Sequence, residues 1–208
     1  HRGRRARAVL VALLAMLGLV DGGARAAAQE APAPVPRSAA PEAASAVGWR
    51  QVTTGGEFTC GIRTTGRLFC WGDDSHGAVG DGGEIDRSRY TTRPGAVASE
   101  VTAWSNVSAS YNHACAVSSA ARLYCWGSGF GGVLADGTAG GQRTSPREIA
   151  GRTADWARVS AGGYATCAIK VDGRLFCWGS DQRGTLGDGG GTVSRSVPGE
   201  VAGRRTDW

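Results

Sequence analysis

The sequence predicts an all-β protein in which one small structural unit occurs three times. Trp49, Trp104, Trp156 and Trp208 are separated by 55, 52 and 52 residues, and similar residues follow each of the first three. No part of residues 49–208 has the apolar period of a long helix. A repeat of this length indicates a unit that buries its apolar face only by stacking on its neighbours.

Within each unit, two cysteines lie ten positions apart around a short turn. In the third unit, a hairpin centred on Asp172 would place Cys167 opposite Cys177, and such opposed residues have Cα atoms about 4.5–5.5 Å apart. That distance is within the reach of a disulfide. A zinc site or a redox pair is the weaker alternative, because the C-x-x-C spacing is absent. The predicted bonds join Cys60 to Cys70, Cys115 to Cys125 and Cys167 to Cys177.

The hairpin segments carry apolar residues on both faces, which predicts strands buried between neighbouring sheets. A further strand is expected at each W-x-x-V segment, and a fourth just after the prolines, at 96–97, 148–149 and 200–201. Four short strands in about 52 residues are typical of one propeller blade, so we expect a partial β-propeller of three blades. Gly66 and Gly173 suit tight hairpin turns. The second unit has Ser-Ser-Ala-Ala-Arg there, so its turn is expected to differ.

The first 26 residues have the three-part layout of a secretory signal peptide. A basic segment precedes an apolar run at 8–20, and Ala24-Arg25-Ala26 fits the pattern before a cleavage site. The run is shorter than the ~20 residues that span a bilayer, so an uncleaved anchor or buried helix is the weaker alternative and no membrane span is expected. Residues 27–48 are rich in Pro and Ala and predict an extended linker. We interpret the chain as a piece of a longer protein, since it starts at His1 and its last residue would open a fourth unit.

The charge of the chain argues against a nucleic-acid partner. The formal net charge is +5, and residues 1–26 carry five arginines against one aspartate. Removing that segment leaves a net charge of +1. A nearly neutral protein lacks the basic footprint that nucleic acids and acidic membranes attract.

The repeated unit resembles the repeat of the regulator of chromosome condensation family. The shared pattern is W-x-x-V-x-x-G, then C-x-I/V-x-x-x-G-R-L-x-C-W-G, then G-x-L-G-D-G, within residues 49–208. The resemblance implies a β-propeller, commonly of seven blades, with repeats at 49–103, 104–155 and 156–207 and the start of a fourth at 208. The cysteine pairs resemble those of secreted members of the family. The structural repeat positions are Trp71 and Gly72, Trp126 and Gly127, and Trp178 and Gly179.

Few residues suggest chemistry. The glycine-rich tails lack the P-loop pattern and are interpreted as turns. Aspartates such as Asp81 do not have EF-hand spacing and are expected to hold turns through bonds to the backbone. His76 and His113 belong to no recognisable catalytic set, so we predict no enzyme activity, no cofactor and no metal site. Asn106 begins a glycosylation sequon.

The surface most suited to function is expected where the three copies differ. The loop after the first glycine-rich tail is the longest and carries Arg87, Arg89, Tyr90 and Arg93. Arginine and tyrosine are enriched at binding hot spots, so this stretch is a candidate binding loop. The alternative is an ordinary solvated loop.

These observations favour a secreted or cell-surface scaffold whose partner is another protein or a ligand. The second hypothesis is guanine-nucleotide exchange on a small GTPase, which the resemblance alone implies. The predicted signal peptide, the cysteine pairs and the nearly neutral charge all oppose it.

Overall fold

The computed structural model describes residues 48–86, 88–203, 205–206 and 208. The predicted signal peptide, the predicted linker up to residue 47, and Arg87 lie outside the described residues. Within them, three four-stranded antiparallel sheets confirm the all-β prediction of three propeller blades. Blade 1 consists of β1 (Trp49–Thr54), β2 (Phe58–Arg63), β3 (Leu68–Asp73) and β4 (Tyr90–Ala96). Blade 2 consists of β5 (Trp104–Ala109), β6 (His113–Ser118), β7 (Leu123–Ser128) and β8 (Gln142–Glu148), and blade 3 of β9 (Trp156–Ala161), β10 (Ala165–Lys170), β11 (Leu175–Gly179) and β12 (Arg195–Glu200).

The central hairpin of each blade has the expected register, but the expectation about the second turn is wrong. Residue pairs such as Cys167 and Cys177 face each other, as do their counterparts in the other blades. In the second hairpin, Ala121 has φ 58° and takes the left-handed conformation that Gly66 and Gly173 take at φ 85° and 84°. The turn is therefore the same in all three blades. For an L-residue, that conformation costs about 1–2 kcal/mol.

The fourth strand of each blade contains its proline rather than following it. Pro94, Pro146 and Pro198 lie inside β4, β8 and β12, so the expected position of these strands was wrong. Each of these strands is at the edge of its sheet. Proline is tolerated there because its missing N–H can face solvent, and it hinders pairing with another strand.

The first strands of successive blades lie side by side, and polar side chains link them. In each case, a side-chain oxygen on the first strand of one blade accepts a hydrogen bond from a backbone N–H on the first strand of the following blade. The residues concerned alternate along the strand, so their side chains point to the neighbouring blade. The bonds are Gln51 Oε1 to Val107 N (3.1 Å), Thr53 Oγ1 to Ala109 N (3.1 Å), Asn106 Oδ1 to Val159 N (2.8 Å) and Ser108 Oγ to Ala161 N (2.9 Å).

A buried histidine adds a second link between blades 2 and 3. The Thr166 hydroxyl donates to the Val133 carbonyl at 3.1 Å, so it accepts from His113 Nε2 at 3.0 Å. His113 is only 2% exposed. Because burial disfavours the charged imidazolium, the pKa of His113 falls from 6.5 to about 4.

We expect Asn106→Leu to lower the free energy of unfolding by about 1–3 kcal/mol, because the backbone N–H of the buried residue Val159 would lose its acceptor. Arg158 offers a matched control, since it holds the same repeat position in β9 and is exposed. The Arg158→Leu variant should change stability by no more than about 0.5 kcal/mol. Urea unfolding of the two variants measures the difference, and equal effects would contradict the role of Asn106.

The His113 side chain should make the blade 2–blade 3 contact sensitive to acid. Its folded pKa lies below the unfolded value, so the unfolded chain binds more protons between pH 6.5 and about 4. Its contribution to stability is therefore complete above pH 6.5 and falls by about 3 kcal/mol as the pH drops through that window. Urea unfolding at stepped pH should show this fall in the wild type and in His76→Gln, and a smaller fall in His113→Gln. Parallel pH profiles for all three proteins would refute the assignment.

Candidate binding surface

The six cysteines lie in three pairs at disulfide-bonding distance. The two sulfurs are 2.05, 2.09 and 2.12 Å apart in blades 1, 2 and 3. In each pair the Cα atoms are 4.1 Å apart, across the second and third strands of one blade. The partners are therefore those expected, namely Cys60 with Cys70, Cys115 with Cys125 and Cys167 with Cys177.

The repeated Trp-Gly pairs lie where one blade meets the blade before it. Trp126 and Trp178 are fully buried, and their indole N–H groups donate to the carbonyls of Ala78 and Val133 at 2.9 and 2.8 Å. The carbonyls belong to the preceding blade in each case. Trp71 is half-buried, since no described blade precedes blade 1. Trp126 and Trp178 therefore fill the contacts between the described blades and are not available to a ligand.

The glycine after each tryptophan allows a close approach of two backbones. A Cβ atom at Gly72, Gly127 or Gly179 would lie 2.4–2.5 Å from the backbone oxygen of the residue that precedes the second strand. The three glycines also have φ between 95° and 113°. Both constraints exclude a side chain. The recurrence of this residue therefore has a structural cause.

The structure places the residues of the predicted binding loop in different surroundings. The guanidinium of Arg89 forms ion pairs with Asp74, at 2.9 Å, and with Asp81. Burial raises the pKa of Asp74, and the nearby positive charge of Arg89 partly offsets this. Tyr90 and Arg93 are exposed on β4, and Arg87 lies outside the described residues. Arg89 therefore holds its own loop and cannot serve as a free anchor.

The other two blades repeat this ion pair with different arginines. Arg143 and Arg195 bind Asp136 and Asp188 at 2.6 and 2.5 Å. As expected, the Asp81 carboxylate also accepts a backbone N–H two residues later, and Asp136 and Asp188 do the same. Among the described residues, no group of three or more His, Cys, Asp or Glu side chains is placed to hold a metal ion.

One local contact superficially resembles a catalytic set. Ser75 Oγ lies 2.7 Å from Asp73 Oδ2 and 2.8 Å from His76 Nδ1. In a hydrolytic triad the imidazole lies between the carboxylate and the hydroxyl. Here the hydroxyl lies in the middle and donates to the Asp73 carboxylate, so its proton does not point to the imidazole. The contact stabilises the turn after β3.

Sequence reasoning missed three aromatic side chains on one rim of the blade stack. This rim carries the loops after the first and third strands, because those two strands run in the same direction. Tyr111, Phe130 and Tyr164 project from the rim and are 68%, 69% and 63% exposed. The rings of Phe130 and Tyr164 meet edge to face, with centroids 6.2 Å apart. We call these three residues the aromatic rim.

The backbone beneath the aromatic rim is held by hydrogen bonds. Ser110 N bonds to His113 O at 2.9 Å, which closes the turn that carries Tyr111, and Gly162 N bonds to Ala165 O at 2.7 Å beneath Tyr164. The Ser110 hydroxyl donates to Gly162 O at 2.5 Å and joins the two turns across the blades. Phe130 opens the 3₁₀ turn Phe130–Gly132. Its neighbour Gly131 donates its N–H to Ala139 O at 3.1 Å. The rings are therefore displayed on fixed loops.

Two open clefts flank the Tyr164 ring. The first has a volume of about 300 Å³ and lies among the three aromatic rings, with His76, Asn112 and Val133 also in its wall. The second, of about 410 Å³, lies between Tyr164 and Arg183. No Asp, Glu, Lys or Arg side chain lines the first cleft. Arg183 is exposed and forms no hydrogen bond or ion pair with another described residue.

Comparison of the three blades separates the aromatic rim from residues that the fold requires. The position of Tyr111 is Gly56 in blade 1 and Gly163 in blade 3. The position of Phe130 is Ser75 in blade 1 and Gln182 in blade 3, and Tyr164 corresponds to a glutamate and an asparagine. The turn after the first strand is closed by the same backbone bond in all three blades, so it does not need the rings of Tyr111 and Tyr164. The 3₁₀ turn that carries Phe130 occurs in blade 2 and not in the described residues of the other two blades.

The described residues contain no helix long and apolar enough to cross a membrane.

Known proteins have sequences similar to this chain. The chain is 29% identical over 162 residues to the RCC1 domain-containing protein RUG3, mitochondrial, from Arabidopsis thaliana, a match covering 72% of this chain and 35% of that protein. It is 29% identical over 148 residues to the human "Probable E3 ubiquitin-protein ligase HERC6", covering 71% of this chain and 14% of that protein. The chain therefore spans about a third or less of these relatives.

Solved structures share the fold. Prp20p from Saccharomyces cerevisiae, described with its binding properties to Gsp1p and histones, superposes with a TM-score of 0.66 at 17% identity, covering 74% of this chain and 38% of that one. Human WBSCR16 gives a TM-score of 0.64 at 23% identity, covering 75% of this chain and 40% of that one.

Two family models match the repeats, and both describe the "Regulator of chromosome condensation (RCC1) repeat". One matches residues 49–78, 104–132 and 156–185, and the other matches residues 172–207. Together they cover more than half of the chain, at the segments that form the three blades. The chain belongs to the regulator of chromosome condensation repeat family.

Proposed function

We propose that this protein is a secreted or cell-surface β-propeller scaffold that binds another protein through the aromatic rim and has no catalytic activity of its own. The single observation that carries the proposal is the exposure of Tyr111, Phe130 and Tyr164 together on one rim, at positions where the other blades have glycine or polar residues. Tyrosine side chains combine a large apolar ring with a polar hydroxyl and are enriched at binding hot spots.

The rigidity of these loops supports a binding role. An aromatic ring on a hydrogen-bonded turn loses little conformational freedom when a partner covers it. An exposed cluster of rings has no comparable benefit for folding, because it leaves apolar surface in water. Binding a partner is therefore the best physical reason for the cluster.

The cysteine pairs support an extracellular location. Disulfides persist outside the reducing cytosol, and a signal peptide at residues 1–26 would deliver the chain there. Closing a loop of about ten residues stabilises each blade by about 3 kcal/mol in the chain-entropy model. Such support suits a protein that leaves the cell.

Nucleotide exchange on a GTPase has less support. It rests on the family resemblance alone, and a shared fold does not carry function with it. No described residue of this chain favours that activity over binding in general.

Secretion can be tested with the full chain in a host that exports proteins. We expect the secreted form to begin near residue 27, to contain no free thiol when alkylated under denaturing conditions, and to yield disulfide-linked peptides from each predicted pair. Substitution of both Cys115 and Cys125 by alanine should lower the free energy of unfolding by about 3 kcal/mol. Peptide mass mapping and urea unfolding provide the readouts. Retention inside the cell with free cysteines would refute this part of the proposal.

The binding role can be tested by photocrosslinking the secreted protein in the medium of the cells that produce it. With p-benzoylphenylalanine at Phe130 we expect discrete adducts that unlabelled wild-type protein competes away. Val171 is the matched control position, since it is 68% exposed against 69% for Phe130 and lies in the β10–β11 turn at the opposite rim. Adducts at neither position, or equal adducts at both, would contradict a partner at the aromatic rim.

A further inference from the structure

We propose that the partner's contact with the aromatic rim is a proline-rich segment in an extended polyproline II conformation, followed by an acidic residue that pairs with Arg183. This inference rests on the proposed binding function and names the chemistry of the partner. It comes from three features of the rim: the spacing of its rings, the polar groups between them and the charge at one end.

The arrangement of rings suits proline. Tyr164 forms a ridge with a cleft on either side, and Phe130 meets it edge to face at 6.2 Å. A polyproline II helix has three residues per turn and presents successive proline rings along a narrow ridge. Such ligands dock on grooves lined by aromatic side chains, because the rigid peptide loses little entropy on binding. Two clefts separated by one ridge can receive two such turns of the peptide.

Polar groups at the rim match the backbone of such a peptide. A polyproline II segment makes no internal hydrogen bonds, so its carbonyls need donors. The hydroxyls of Tyr111 and Tyr164 and the side-chain amide of Asn112 can donate at the first cleft, and the amide of Gln182 can donate at the second. All four lie in the loops that line the two clefts. A purely apolar partner would leave these groups unused.

The positive charge of Arg183 favours an acidic residue next to the proline-rich core of the partner. The first cleft has no charged lining, so the core of the ligand should be neutral. Arg183 stands at the far side of the second cleft, exposed and unpaired among the described residues. A carboxylate just beyond the proline core would complement it, and the planar guanidinium can bind a carboxylate in a bidentate manner.

The shape of the site disfavours a small free ligand. Small-molecule sites enclose most of their ligand's surface. The three rings here remain 63–69% exposed, and both clefts are open. An extended chain lying across the rim makes better use of such a surface.

A labelled synthetic peptide tests the proposal. The probe repeats Ala-Pro-Val-Pro and ends in two glutamates, and fluorescence anisotropy measures its binding to the secreted protein. We expect saturable binding that weakens by about tenfold or more in Tyr164→Ser and in Phe130→Ser. Tyr90→Ser is the matched control, because Tyr90 is 70% exposed but lines neither cleft, and this variant should bind as the wild type does. Thermal unfolding of each variant establishes that the fold is intact.

Two control peptides test each part of the chemistry. A peptide with alanine in place of proline should bind weakly or not at all, because it lacks the preformed extended conformation. A peptide ending in glutamine should bind more weakly to the wild type, and Arg183→Gln should remove the difference between the two. Binding of the acidic peptide should also weaken as salt is added.

Three outcomes would overturn the proposal. They are no saturable binding, equal binding of the alanine peptide, and rim variants that bind as the wild type does. If the peptide fails but rim-specific adducts at Phe130 persist, a partner of another kind occupies the rim and only the proline-rich assignment fails. If both experiments fail, the binding function itself fails.

Discussion

Each blade depends on hydrogen-bonding groups that only its neighbour can supply. The indole N–H groups of Trp126 and Trp178 reach carbonyls in the preceding blade. The backbone N–H groups of Val107 and Val159 are satisfied by side chains of the preceding first strand. A buried donor without a partner costs about 1–3 kcal/mol, so these contacts fix how one blade stacks on the next. The sequence repeats because the same donors and acceptors must recur at every contact between blades, which we call the seam.

The central hairpins could be predicted from the sequence because their register follows from arithmetic. Cysteines equally distant from a turn must face each other once the turn is tight. The fourth strand was expected just after each proline, whereas Pro146 fits inside an edge strand, where its missing N–H can face solvent. The second turn was misjudged because Ala121 was assumed to avoid a conformation that its neighbours impose on it. In both cases the tertiary surroundings overrode a local preference.

The candidate site could not be found from composition. Arg89 looked free in the sequence, and only the fold brings Asp74 and Asp81 to it. Conversely, Tyr111, Phe130 and Tyr164 stand singly in the chain and gather only when blades 2 and 3 stack. A signal was present in the alignment of the three units, where these positions are glycine or polar in the other copies. The predicted loop and the aromatic rim were both chosen from variation among copies, and the contacts between blades add the information that the rings lie together.

Stability and the proposed binding therefore depend on different residues of the same repeat. The seam uses side chains that recur, such as the buried tryptophans and the polar residues at 51 and 106. The rim uses side chains that do not recur, on backbones whose hydrogen bonds involve Ser110 and Gly162 rather than the rings. Because the rings contribute little to packing, they can change without loosening the seam. A repeat scaffold of this kind can acquire a new partner by substitution at the rim, while the seam residues keep the blades in register.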